Sequence, residues 1–168
     1  MPATLIKEDG SGLSDANTYI SLADYEAYLD ERGLSDATTD DAKTGRIIQS
    51  MDYLETKDTR FQGYKKNSGQ SLVWPRTSVI VNPPYYLDSS TIPSQLKNAQ
   101  AQLVYDSAST GIYNVGDGRS IVKDKVGPIE TTFSDLKGAD VQPIFAKVEA
   151  MLKPLYKRTG GFGSVIRG

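Results

Sequence analysis

Apolar positions recur with a helical period in four stretches of the chain, and turn-forming residues separate them. Ser21 is a good N-cap for the first, and Asp24 stands where it completes a capping box. Leu22, Tyr25 and Leu29, with Tyr28 nearby, share one face, which predicts a helix over 22–32 ended by Arg32-Gly33. Thr39-Asp40-Asp41 opens a second helix, where acids in the first turn suit the positive end of the helix dipole. Its stripe is Ile47, Ile48, Met51 and Leu54, and it fades near Lys57. The third helix should run from about 93 to 110, with Pro93 at N1, where the missing donor does no harm. Leu96, Ala99, Leu103 and Ser107 lie on one side of it, and Ala99, Ala101, Ser107 and Ala108 are small enough for close helix packing. The last helix, about 141–157, carries Ile144, Val148, Met151, Leu152 and Leu155, and Pro154 should kink or shorten its end.

Strand signals are fewer. Thr77–Val81 is a short run of β-branched residues, and Asn82–Ser90, with its two prolines, should break regular structure. Ile121–Val126 and Ile129–Phe133 flank Gly127-Pro128 and read as a hairpin or a kinked extended arm. The expected fold is mainly α. It comprises an N-terminal arm over 1–20, a bundle of about four helices over 21–157 with an extended hairpin near 120–133, and a C-terminal docking tail over 158–168.

Residues 61–76 join the first two helices to the rest. A glycine-rich, basic loop precedes Leu72-Val73, and then come the only tryptophan, Trp74, with Pro75 and Arg76. Pro75 holds Trp74 extended and bars a helix, which makes the stretch an elbow. Trp74 suits a core anchor whose indole N–H is tied to a carbonyl, and Trp and Arg are also residues that dominate partner contacts.

Composition narrows the chemistry. The 168 residues contain no cysteine and no histidine, so thiolate metal sites, disulfides and histidine acid–base chemistry are excluded. Catalysis would need carboxylates, lysine or tyrosine, and no spacing suggests such a site. Asp40-Asp41 reads as helix capping, because adjacent carboxylates on a helix diverge and no third ligand is evident. Gly161-Phe-Gly163 and Gly116-Asp-Gly118 lack the context of a nucleotide-binding loop. No catalytic residue, metal or cofactor is therefore expected. No apolar run reaches the eighteen residues of a membrane span, and residues 1–10 have no leader-like pattern. The net charge of −2 hides a split: residues 1–60 carry thirteen acids and six bases, and residues 61–168 carry eight acids and thirteen bases. Such bipolarity suits head-to-tail subunit contact, or a polyanion at one end.

Several strings together resemble a known family. They are Glu8-Asp9-Gly10, Ala16-Asn17-Thr18-Tyr19, Asp52-Tyr53-Leu54, Gln70-Ser-Leu-Val-Trp-Pro-Arg76, Ile92-Pro93, Lys125-Val-Gly-Pro128 and the closing Gly161-Phe-Gly163 with Arg167-Gly168. In this order they resemble the tailed-bacteriophage proteins known as DnaT-like single-stranded-DNA-binding proteins, a group similar to the head–tail connector, or adaptor, proteins. That resemblance implies a structural virion protein at the head–tail junction, present in the host cytoplasm during assembly. It would form a dodecameric ring beneath the portal, through which double-stranded genomic DNA passes. Its implied partners are the portal protein, neighbouring copies of itself and a tail-completion, tail-terminator or nozzle protein, with no membrane. Trp74, Arg76, Phe162, Val165, Ile166 and Arg167 are the expected partner contacts. The loop at 77–91 departs from the family pattern.

A second function class, a DnaT-like single-stranded-DNA-binding replication protein, asks for lysine or arginine interleaved with aromatic platforms. Tyr64-Lys65-Lys66 and Tyr156-Lys157-Arg158 fit that description. A sequence pI near 5.2 has the wrong sign for a dedicated binder.

Overall fold

The structure is a computed structural model, and it describes residues 3–112, 119–125, 130–135 and 145–157. Four α-helices are found in it: α1 (Leu22–Asp30), α2 (Asp40–Glu55), α3 (Ser94–Thr110) and α4 (Ala146–Leu152). Short 3-10 turns follow α2 at Asp58–Arg60 and α4 at Lys153–Leu155. Three two-stranded antiparallel ribbons complete the described elements: β1 (Tyr64–Lys65) with β2 (Arg76–Thr77), β3 (Ile80–Asn82) with β4 (Tyr85–Tyr86), and β5 (Arg119–Lys125) with β6 (Glu130–Asp135). The architecture is thus a small mixed domain, with four helices as expected and more ribbon than a mainly α chain would have.

The helix starts follow their caps. Ser21 and Asp24 form the reciprocal capping box, and Thr39 accepts the Ala42 N–H at the start of α2. Pro93 is the N-cap of α3, one position earlier than expected, and Gly111 ends that helix at φ +70°. The chain cannot continue the α4 helix through Pro154, so the last turn tightens to 3-10 geometry. The predicted start of that helix at 141, with Ile144, lies outside the described residues.

Two expectations are corrected. The predicted strand 77–81 is divided, because Ser78 sits at φ +60° and turns the chain between β2 and β3. The proline-containing stretch after it does not dissolve into loop. Ile80 pairs with Tyr86 and Asn82 with Tyr85, across a bulge between Ile80 and Asn82. The prolines sit in the connection, where a ribbon needs no N–H donor. The predicted hairpin near 120–133 is present as β5–β6, registered from Arg119↔Asp135 to Lys125↔Glu130, and its turn residues lie outside the described residues.

α3 lies against α1, α2 and α4, and its two faces serve two apolar clusters. Leu96 and Leu103 join Leu54, Phe61, Trp74 and Leu152 in the larger one, whereas Ala101 and Val104 join Tyr25, Leu29 and Ile47 in the smaller. Ala108 faces solvent, so the small-residue packing stops short of it. Gln100 of α3 is fully buried but saturated: it accepts the Tyr19 N–H at 3.1 Å and donates towards Thr18 Oγ1, Ile47 O and Ser50 Oγ at 3.0–3.2 Å. Buried polar groups of this kind are tolerated only when so partnered.

The segment before α1 is tied into the body. Lys7 and Thr18 form a parallel bridge, and Ala16 and Tyr19 are buried in the larger cluster. Glu8 is 2% exposed, and its carboxylate accepts three backbone N–H groups, from Gly10 and Gly12 on Oε1 and from Leu13 on Oε2, at 2.8–2.9 Å. The turn it organises docks closely enough that a Cβ on Gly10 would lie 1.7 Å from the Ser90 carbonyl oxygen.

Candidate nucleic-acid interface

Trp74 and Arg76 are interior residues of this chain. Trp74 is 0% exposed and meets the Phe61 ring edge to face, with centroids 5.7 Å apart. Its indole N–H has no hydrogen-bond partner, which corrects the expected tie to a carbonyl. Its backbone N–H instead donates to the Tyr19 hydroxyl at 3.0 Å, and that hydroxyl donates to Glu55 at 3.3 Å. Burial raises the Glu55 carboxyl above its usual pKa, against the lowering pull of the Val73 N–H.

Arg76 is held by backbone oxygens and one acid. Its guanidinium reaches Gln62 O at 2.8 Å, Gly63 O at 2.9 Å and the Asp58 carboxylate at 2.7 Å. These bonds fasten the elbow to the segment 58–63. Gly63 turns there at φ +66°, and a Cβ on it would fall 1.9 Å from the Thr77 carbonyl oxygen, a fit only glycine allows. Phe162, Val165, Ile166 and Arg167 lie outside the described residues.

The segment so fastened receives the end of the last helix. Phe61 and Tyr156 form an antiparallel bridge, their rings 5.4 Å apart. The Gln62 N–H donates to Leu155 O at 3.0 Å and the Lys157 N–H to Arg60 O at 2.8 Å, while the Lys157 ammonium reaches Thr59 O at 2.9 Å. The consequence is that the two Tyr-Lys pairs named in the sequence become neighbours. Tyr64 and Lys157 line one open depression, together with Thr59 and Ser78. Arg60, Lys153, Tyr156 and Lys157 line the depression beside it.

Tyr64 is 76% exposed, and Lys65, Lys153 and Lys157 are exposed around it. Lys66, by contrast, turns to the Gly10 carbonyl at 3.0 Å and serves the N-terminal segment. Arg158, the third member of the other string, lies outside the described residues. Arg60 and Lys153 were not singled out in the sequence. Lys153 falls four residues from Lys157, a spacing that would have signalled it only if the helix end were already known. Tyr85 and Tyr86 are 72% and 68% exposed on their ribbon.

Two acids lie in this basic region: Asp58, which lines the Tyr64 depression and is paired with Arg76, and Glu149 in the depression beside it. Glu149 accepts from the Tyr53 and Tyr156 hydroxyls and pairs with Lys57 and Arg60. Burial by itself would raise its pKa, but the bond to Lys57 and that cation's charge, then Tyr156 and Arg60, bring it below the usual glutamate value. The Tyr156 phenol is pushed up, by burial first and the Glu149 charge second. The arrangement offers an aromatic face and several ammonium groups, which is equipment for holding a stacked, negatively charged strand. Among the described residues no cluster of acids could hold a metal ion, and no helix is long and apolar enough to cross a membrane.

The model of the family described as "Putative DnaT-like ssDNA binding protein" matches residues 3–168. No curated protein and no solved structure matches the chain.

Proposed function

We propose, from the premise that this chain belongs to the DnaT-like ssDNA-binding family, that the face around Tyr64, Arg60 and Lys157 holds single-stranded DNA. The observation that carries the reading is the convergence of Tyr64-Lys65 and Tyr156-Lys157, ninety-two positions apart, on one surface through the Phe61–Tyr156 bridge. Single-strand binding combines cations that follow the backbone with an aromatic ring on which a base stacks. Tyr64 supplies the free ring. Tyr156 lends one face to the Arg60 guanidinium, 4.2 Å from its centroid. The acidic total charge sits largely elsewhere, on exposed residues of α1, its C-cap and α2 such as Asp30, Glu31, Asp41 and Asp52.

The test is anisotropy titration of a labelled oligothymidylate at several salt concentrations. Binding should weaken as salt rises. Lys65→Gln and Lys157→Gln should each lower the salt slope by about 0.7, the share of one phosphate on a single strand. Tyr64→Ala should weaken binding by about 1–3 kcal/mol without changing the slope. Absence of salt-sensitive binding in the wild type would sink this reading.

The same separation of charge favours a second reading, the head–tail adaptor. Acids on α1 and α2 and bases around β1 and the end of α4 give two unlike surfaces. A ring closes through unlike surfaces, one subunit's face meeting the other face of the next. The adaptor would then act as a structural virion protein at the head–tail junction, with the portal, its own copies and a tail-completion protein as neighbours. Quantifying the chain against the portal subunit in purified virions tests it: a near one-to-one ratio supports the ring, and absence from the particle removes it.

A further inference from the structure

We propose that Glu149 is a built-in counter-anion of the strand-binding face, limiting how many phosphates that face can neutralise; the proposal rests on the single-strand reading above. Oε1 accepts the Tyr53 hydroxyl at 3.1 Å and meets the Lys57 ammonium at 3.2 Å. Oε2 accepts the Tyr156 hydroxyl at 3.0 Å and meets the Arg60 guanidinium at 3.1 Å. Each cation also lies over the ring of the tyrosine with which it shares an oxygen, Lys57 4.3 Å from the Tyr53 centroid and Arg60 4.2 Å from the Tyr156 centroid. Every oxygen therefore takes one cation and one phenol.

This carboxylate is not remote from the face. Glu149 and Arg60 line the same depression as Lys153 and Lys157, and the Arg60 side chain is 50% exposed there. An arriving phosphate meets Arg60 with one carboxylate already in place. The two cations and one anion sum to a single positive charge where two would otherwise stand. A purely structural tether would make the same contacts to the tyrosines, but its charge would leave strand binding unaffected.

The test uses the full chain and the labelled oligothymidylate. Glu149→Gln keeps the size of the side chain and removes its charge, while one of the two accepting oxygens becomes an NH2 donor. The salt slope should steepen by about 0.7, one extra phosphate, with severalfold tighter binding at low salt. Glu149→Met, neutral by a different route, should steepen it likewise. If the wild type binds and both neutral variants bind with its slope, the counter-anion role is overturned while the reading of the face stands. If the wild type does not bind, both fall, whatever the variants do. If both variants unfold, as circular dichroism would report, Glu149 is a structural tether and the proposal is overturned.

Discussion

Replacing the buried Glu8 by glutamine changes one atom and should nevertheless be among the costlier substitutions in the chain. The carboxylate takes Gly10 N–H at 2.9 Å and Gly12 N–H at 2.8 Å on Oε1, and Leu13 N–H at 2.9 Å on Oε2. Hydrogen bonds to a charged group contribute roughly 1.5–3 kcal/mol each, and neutral ones about 0.5–1.5. A glutamine would place its oxygen where two donors converge and its NH2 against the Leu13 N–H. Two bonds are then weakened by about 1 kcal/mol each, and one is lost with its donor left facing another donor, for another 1–3. After some relaxation the net loss should be about 3 kcal/mol. For a chain of this length that lowers the melting midpoint by about 6–12 °C. Thermal and urea unfolding followed by circular dichroism measure both quantities. Glu31→Gln, at a side chain 72% exposed, is the control and should stay within about 0.5 kcal/mol of wild type. A loss under 1 kcal/mol for Glu8→Gln would show that the turn 8–13 holds itself and that the charge at its centre is incidental.

The remaining outcomes concern the core and acid stability. Phe61→Ala removes a ring buried between Trp74 and Tyr156 and should cost about 3–5 kcal/mol in urea unfolding. A loss below 1 kcal/mol would mean that the bridge alone seats the end of α4. Asp36 sits beside Arg46, Tyr25 and Thr38 with its side chain 2% exposed. Burial opposes its ionisation, but the bonds from Thr38 and Tyr25 and the Arg46 charge prevail and hold it at about 2. A carboxyl depressed in the folded state stabilises fully above its unfolded value near 4, and that stabilisation fades as pH falls from about 4 to 2. Asp36→Asn should flatten the stability profile in that window, by up to about 2 kcal/mol. An unchanged profile would refute the assignment.

Local signals carried the helices well. Ser21 with Asp24, Thr39 and the apolar stripes around Met51, Leu103 and Val148 define their own elements, because each interacts within a turn or two. What escaped depends on pairs distant in sequence. Arg76 is drawn inward by Asp58 and by carbonyls some thirteen residues earlier, so a residue type typical of surfaces became interior. The β3–β4 ribbon hides behind prolines that normally mark loops, because its pairing skips them. The candidate site was half visible. Both Tyr-Lys pairs could be named from the sequence, but not their adjacency, which rests on one bridge between residues 61 and 156, nor the Glu149 cage that ties residues 53, 57, 60 and 156 together.

The Phe61–Tyr156 bridge also sets the order in which the molecule can be completed as it emerges from a ribosome. Phe61 emerges more than ninety residues before its Tyr156 and Leu155 neighbours. α3 likewise waits for α4 to cover it. Until then, the apolar groove over Phe61 and Trp74 lies open to other nascent chains. Contacts this distant slow closure and prolong exposure to misassociation. Newly made chains are therefore vulnerable until Tyr156 has emerged, and synthesis stalled before residue 145 leaves a hydrophobic fragment for chaperones and proteases to clear.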